Sequence, residues 1–282
     1  MFTVLDHVSW PGYPDRPNED IAGTAGAWAW VIDTSIFPGT PALMHPASDA
    51  AWLAAFAQER LTALAPRAED GPALVRAVME AARDTFLAKA PPERHDPVTW
   101  PMGAMTLVQA RDGRLRAWTF GDTTAYVRRP DGAVITLGEG PSLRDWESEK
   151  ARELLEASGS TPATITSAPA FRAWLADRRE RQKRSGGAAI LSLRPDAAAQ
   201  MRYDEVEAGP GTAILLVSDG LSALVDLYRH TDAAGLMERA LAEGVEPLVR
   251  EARRIETEVD LAGKLFPRFK TSDDTTGLLL KI

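Results

Sequence analysis

Residues 104–137 read AMTLVQARDGRLRAWTFGDTTAYVRRPDGAVITL. Four short runs, Ala104–Ala110, Leu115–Phe120, Ala125–Arg129 and Ala133–Leu137, follow one another with no space for a helix between them. Asp112-Gly113 and Asp131-Gly132 fall where hairpin turns need residues that accept positive φ. The stretch predicts four consecutive antiparallel strands.

Working outward, Phe2–Trp10 and Ala27–Ile32 (AWAWVI) read as strands, with a further strand start at the acidic cluster Asn18-Glu19-Asp20. From Ser48 to Ala65, Trp52, Leu53, Phe56, Leu61 and Leu64 recur at helical spacing behind Ser48, a good N-cap. A second helix is predicted over Pro72–Ala90, with Leu74, Val75, Val78, Ala82 and Phe86 as its apolar stripe. Pro72 suits its first turn and Pro91-Pro92 ends it. Beyond the strand block, Leu143–Ala157 and Ala168–Arg184 read as helices. Gly186–Leu193, Arg202–Val206 and Thr212–Ser218 read as strands, Thr231–Ala242 and Glu246–Leu261 as helices, and Thr275–Ile282 as a last strand. This order is incompatible with a regular βαβ array. It predicts an α+β fold in which two antiparallel sheets pack face to face and helices cover their outer faces. Without a linker or a composition shift, residues 1–282 are expected to form one domain.

Composition narrows the function. Hydrophobic residues make up 45 % and charged residues 26 %, enough for a sizeable core in an ordinary globular chain. No cysteine occurs, which excludes thiolate metal sites, disulfides and cysteine nucleophiles and fits a reducing, cytoplasmic setting. No apolar run approaches the roughly 18–20 residues of a membrane span, and the opening MFTVLDHVSWPG lacks the pattern of a signal peptide. A net charge of −8 argues against a nucleic-acid partner. The local basic run Arg178–Arg184 (RRERQKR) reads as a solvated helix face, and the tryptophans read as packing residues.

Acidic residues stand at strand ends: Glu19 and Asp20, Asp33 after AWAWVI, Asp219 after AILLVS, and Asp273-Asp274 before the last strand. A carboxylate at the end of a buried strand is costly to dehydrate unless a cation neutralises it. Singly, each is a turn or cap residue first. Together they raise the prospect of a site for hard divalent cations with oxygen ligands.

Six elements in order, RPNED (16–20), WVIDTS (30–35), GAMT (103–106), FGDTTAY (120–126), LLVSDG (215–220) and SDDTT (272–276), resemble the motifs of the metal-dependent protein phosphatases of the PPM, or type 2C, family. The resemblance spans nearly the whole chain. It implies a four-layer α-β-β-α sandwich with a two-metal site, Mn²⁺ or Mg²⁺, at one end. Carried over, Asp33 bridges the two ions, Asp219 and Asp273 complete the first, and the Thr34 carbonyl and Glu19, directly or through water, serve the second. Asp20 stands behind them, and Asp122 marks a weak third site. Arg16 lies near the family's phosphate-binding arginine, one residue short of the usual spacing. Water shared between two such ions is acidified and attacks phosphorus in line. The implied activity is hydrolysis of phosphoserine and phosphothreonine in proteins that a serine/threonine kinase has modified.

The chain also departs from the family pattern. Asp33-Thr34-Ser35 replaces Asp-Gly, and no histidine follows it. His7, His45, His95 and His230 occupy no equivalent place and read as surface or structural residues. Ala223 stands where a further acidic residue is usual, and Asp274 replaces asparagine, adding charge that is expected to bear on metal preference. The segment 138–187 takes the place of the family's variable flap and is expected either to select substrates or to cover a sheet edge. The alternatives are a pseudophosphatase serving as a protein-binding module and a hydrolase of small phosphate esters.

Overall fold

The computed structural model describes residues 1–138, 142–184 and 189–282. In chain order, β1 (Thr3–Trp10), β2 (Asp20–Ala25) and β3 (Trp28–Ser35) precede helices α1 (Asp49–Leu64) and α2 (Gly71–Leu87). Strands β4 (Met102–Arg111), β5 (Arg114–Phe120), β6 (Thr124–Arg128) and β7 (Val134–Leu137) follow, then helices α3 (Ser142–Ser158) and α4 (Pro169–Arg184). The remainder comprises β8 (Leu191–Ser192), β9 (Arg202–Glu207), β10 (Ala213–Val217), α5 (Asp219–Asp226), α6 (Ala233–Glu243), α7 (Glu246–Arg254) and β11 (Thr275–Lys281).

The strands form two antiparallel sheets, in the orders β1-β11-β10-β6-β7 and β2-β3-β4-β5-β9, with β8 paired to the start of β4. The hairpin between β4 and β5 turns at Asp112 (φ 55°) and Gly113 (φ 72°), the paired positive φ values that a two-residue turn demands. The four-strand block is nevertheless not the single meander that the sequence predicts. The chain leaves one sheet after β5 and enters the other at β6. Gly121 makes the crossing at φ 64°, and a Cβ there would lie 2.8 Å from the Ala104 Cβ. This crossing delivers Asp122 to the end of the sandwich.

Period-2 alternation sorts the side chains into layers. Trp28, Trp30 and Ile32 of β3 pack with Ala57 and Leu61 of α1 and Val75 and Met79 of α2. Ala29 and Val31 of the same strand face the other way, against Ile214, Leu216, Leu278 and Leu280 of the second sheet. On that sheet's outer face, Leu215, Val217 and Leu279 meet Leu236, Leu248 and Val249 of α6 and α7. The result is the four-layer α-β-β-α sandwich. Each fully buried large side chain contributes about 1.5–3 kcal/mol to holding the layers together.

Three elements differ from expectation. Of the strand read over Gly186–Leu193, the described part contains Leu191–Ser192 alone, and residues 185–188 lie outside the described residues. Asp219-Gly220 begins a helix rather than ending a strand in a turn. The last helix closes in a π turn over Ile255–Val259. The basic run is also more than a solvated face. Arg179 is buried and donates to the carbonyls of Val98 (3.1 Å) and Trp100 (3.2 Å). The side chains of Lys183 and Arg184 are not described. Trp28, Trp30 and Trp118 are buried, whereas Trp146 is exposed. Among the described residues, no helix is long and apolar enough to cross a membrane.

The loop before α1 is fixed by one buried ion pair. Asp49, wholly buried, accepts from Arg94 Nη2 at 2.8 Å and from the amides of Leu43 and Met44, each at 2.7 Å. Ser48 caps the helix through Ala50 N at 3.1 Å, as its sequence position predicts. Asp49→Ala strands Arg94 in the interior, and urea denaturation is expected to show a loss of about 3–5 kcal/mol.

Candidate metal centre

The strand ends carry the acidic residues to one place. Asp20, first in β2, is the register partner of Asp33 in β3. Asp33 shares the inward face of Ala29 and Val31 by alternation, so it points between the sheets at their end. Asp219 follows β10 as the first residue of α5, and Asp273 precedes β11. These two strands are neighbours, tied where they meet by Ser218 N to the Thr276 carbonyl (3.0 Å) and Thr276 N to Ser218 Oγ (2.9 Å).

Two motif glycines allow this closure. A Cβ at Gly103 would lie 2.2 Å from the Asp33 carbonyl oxygen, and one at Gly220 would lie 2.2 Å from the Asp274 carbonyl oxygen. Only backbone fits against those two loops.

Asp33, Asp122, Asp219 and Asp273 line one cleft, whose other wall comes from α3 and α4 through Glu147, Trp174 and Arg178. A second cleft borders Glu19, Arg16 and Asp273. The fold brings Asp20, Asp33, Asp122, Asp219 and Asp273 near one another, with Glu19 at the neighbouring cleft. The Glu19 carboxylate accepts from the Ser48 hydroxyl. Thr34 is buried, donating its hydroxyl to the carbonyls of Glu19 (2.6 Å) and Ala50 (2.9 Å). Arg16 is exposed at the mouth and lies over the Tyr13 ring at 4.6 Å.

Asp274 adds its charge to the cluster and has a structural task besides. Its carboxylate accepts from Gly12 N at 2.7 Å and Glu19 N at 2.6 Å, clasping the N-terminal loops to the start of β11. Ala223 is packed in the helix-side core, but Asp226, one turn on, faces the cluster and accepts from Ser222 Oγ at 2.8 Å.

The charges are crowded. Burial pushes the Asp33 and Asp20 carboxyls well up, and the surrounding aspartates push them further. Burial, then Asp219 and Glu147, raise Asp122 to about 7. Burial raises Asp273 to about 6 against the pull of Lys270. Asp219 goes the other way: burial opposes its charge, but Arg144 and Lys270 outweigh it and hold the carboxyl below its ordinary range.

Three residues with no motif signal complete the cluster. Arg144 of α3 reaches Asp219 Oδ2 at 3.2 Å and Asp226 Oδ1 at 3.5 Å. Lys270 Nζ lies 2.5 Å from Asp273 Oδ1. Arg253 donates to the Asp273 carbonyl and to Thr275 Oγ1, fixing the backbone that presents Asp273. Nothing in the sequence pattern marks these cations: Arg144 and Arg253 lie in helices far along the chain from the residues they meet, and Lys270, though three residues from Asp273, belongs to no motif.

Among the described residues, no three histidine, aspartate or glutamate side chains already stand as a ligand-ready group. The donor set nevertheless fits a hard divalent cation. It is all oxygen, and Asp20 Oδ2 and Asp219 Oδ1 are buried without a hydrogen-bond partner.

No family model and no curated protein matches the chain. Solved structures do. The Mycobacterium tuberculosis serine/threonine phosphatase PstP/Ppp is 18 % identical with a TM-score of 0.58, covering 100 % of this chain and 98 % of that one. The PstP catalytic domain in complex with two manganese ions is 15 % identical with a TM-score of 0.54, covering 100 % and 97 %. MsPP, a PPM Ser-Thr phosphatase from Mycobacterium smegmatis in complex with cacodylate, is 21 % identical with a TM-score of 0.53, covering 99 % of each chain. The chain has the fold of the bacterial PPM-type serine/threonine phosphatases, as its motifs led one to expect.

The raised carboxyls make a pH prediction. A carboxyl whose folded pKa exceeds its unfolded 3.8 favours the folded state while protonated, and that stability drains away as pH rises through the folded value. In EDTA, the melting temperature is expected to fall as pH rises from about 4 to about 7. Mn²⁺ is expected to flatten or reverse the slope and to release protons as it binds. Calorimetric scans at several pH values check this.

Proposed function

We propose that this chain is a member of the metal-dependent protein phosphatases and hydrolyses phosphoserine and phosphothreonine in kinase-modified proteins, using two Mn²⁺ or Mg²⁺ ions. The observation that carries the reading is the convergence of Asp33, Asp219 and Asp273 at one end of a phosphatase-type sandwich. The relative crystallised with two manganese ions supports the choice of cation.

In this reading Asp33 would serve both ions, and Asp219 and Asp273 would help hold one of them. The Thr34 carbonyl and Glu19, the latter held in place by Ser48, serve the other. Asp20 stands behind Asp33 as its register partner. Asp122 offers a weaker third position, where a metal would compete with Arg144. Divalent ions held there supply an acidified water and charge neutralisation for the phosphoryl oxygens.

The residues around them do the positioning. Asp274 and Arg253 keep the loops that carry Glu19 and Asp273 in register. Arg16, exposed at the mouth over the Tyr13 ring, is a cation that can meet an incoming phosphate. Helices α3 and α4 wall the cleft and select what enters.

Purified protein is expected to turn over p-nitrophenyl phosphate and a phosphothreonine peptide with Mn²⁺ or Mg²⁺ and not with EDTA. Asp219→Ala is expected to lower kcat on the order of 10²-fold or more with the circular dichroism spectrum unchanged. Turnover of the small ester alone points to a small-molecule hydrolase. No metal-dependent turnover of either substrate refutes the enzyme reading.

A further inference from the structure

Two cationic side chains accompany the carboxylates, and they are held in different ways. The Arg144 side chain is 16 % exposed and is shared between Asp219 and Asp226, with a further bond to the Asp219 carbonyl at 3.1 Å. A planar guanidinium spread over several oxygens is a fixed part of the fold. Lys270 makes one close contact, with Asp273 Oδ1 at 2.5 Å, and its side chain is 45 % exposed. It borders each of the clefts that open beside Asp273.

Its backbone, by contrast, is locked on both sides. The Phe269 ring packs against Phe171 at 5.2 Å and Trp174 at 5.0 Å. The Thr271 amide donates to the Tyr13 hydroxyl at 3.1 Å. Arg268 is tied to the Asp260 carboxylate at 3.0 Å. An ammonium on a flexible four-carbon stem, anchored at its base and open to water at its tip, leaves and returns without disturbing the fold. The ammonium is strongly hydrated, so little is lost when it swings out.

We propose that Lys270 is an exchangeable counter-ion of this centre: it neutralises Asp273 and its neighbours until a divalent cation arrives, and that cation must displace it from Asp273. The inference rests on the metal reading above. Both cations are drawn to the Asp273 carboxylate, where Lys270 already holds Oδ1, and their charges repel at contact distance. Lys270 thereby keeps the crowded carboxylates from driving the loops apart while no metal is present. It also sets the metal affinity below what so many aspartates would otherwise give.

The test is Mn²⁺ titration by calorimetry on the parent, Lys270→Met, Lys270→Gln and Lys270→Arg, with melting curves in EDTA and in saturating Mn²⁺. Removing the charge is expected to tighten Mn²⁺ binding about tenfold. It is also expected to lower the melting temperature in EDTA, with the difference closing once Mn²⁺ saturates. Lys270→Arg is expected to bind Mn²⁺ no more tightly than the parent. Having both Met and Gln variants guards against one that fails to fold. Equal or weaker Mn²⁺ binding by both neutral variants overturns the role of Lys270 and leaves the metal centre standing. If neither the parent nor any variant binds Mn²⁺ at millimolar concentration, the metal reading itself falls, and this one with it.

Discussion

Mutual repulsion among buried carboxylates is the constraint that the rest of this structure accommodates. Asp33 feels the charge of Asp20, Asp122, Asp219 and Asp273 at once. Such a cluster is tolerable only where something rigid holds the groups together and something positive offsets them. The rigid part is the pair of sheets, whose strand ends carry the acids. The positive part is Arg144 and Lys270, with protons taken up where the cations fall short.

Packing and chemistry are coupled through a few backbone approaches. Gly103 lets β4 run against the Asp33 carbonyl, and Gly220 lets the first turn of α5 run against Asp274. Asp274 clasps Gly12 and Glu19, and Arg253 fixes the Asp273 carbonyl. Each of these contacts joins residues that are remote in the chain and adjacent in space. A site built in this way is preorganised by the core, because moving any one acid means moving a strand end. The helices that wall the cleft belong to no layer of the sandwich. They bring a small core of their own, in which Leu154, Leu155, Ile165 and Phe171 are buried, and are tied to the frame through Phe269, Arg179 and Arg144.

Much of this was legible locally. Asp-Gly turns, the Ser48 cap and the apolar stripe from Leu74 to Phe86 announced their elements, because turn chemistry and periodicity act over a few residues. The strand-end acids were legible too, since a charge directly after an apolar run demands an explanation. The misreadings share a cause. Taking Ala104–Leu137 as one meander missed the crossing at Gly121, since pairing partners are chosen by the whole sandwich. Asp274 does add charge beside the site, but that two distant amides also claim its oxygens could not be read from the sequence. The basic run was read as solvated, but Arg179 is bonded to carbonyls some eighty positions upstream.

Element order, layer preference and the identity of the acidic residues follow from chemistry within a few positions along the chain, and one dimension suffices to see them. Which acids meet, which cation stands beside each, and which charge is spent on structure rather than chemistry are settled in three dimensions. Arg144 carries no local signature, because its partners Asp219 and Asp226 stand far along the chain; Lys270 is only three residues from Asp273, and the other acids beside it are gathered by the fold. Electrostatic energy depends on distance through space, and only packing fixes that distance.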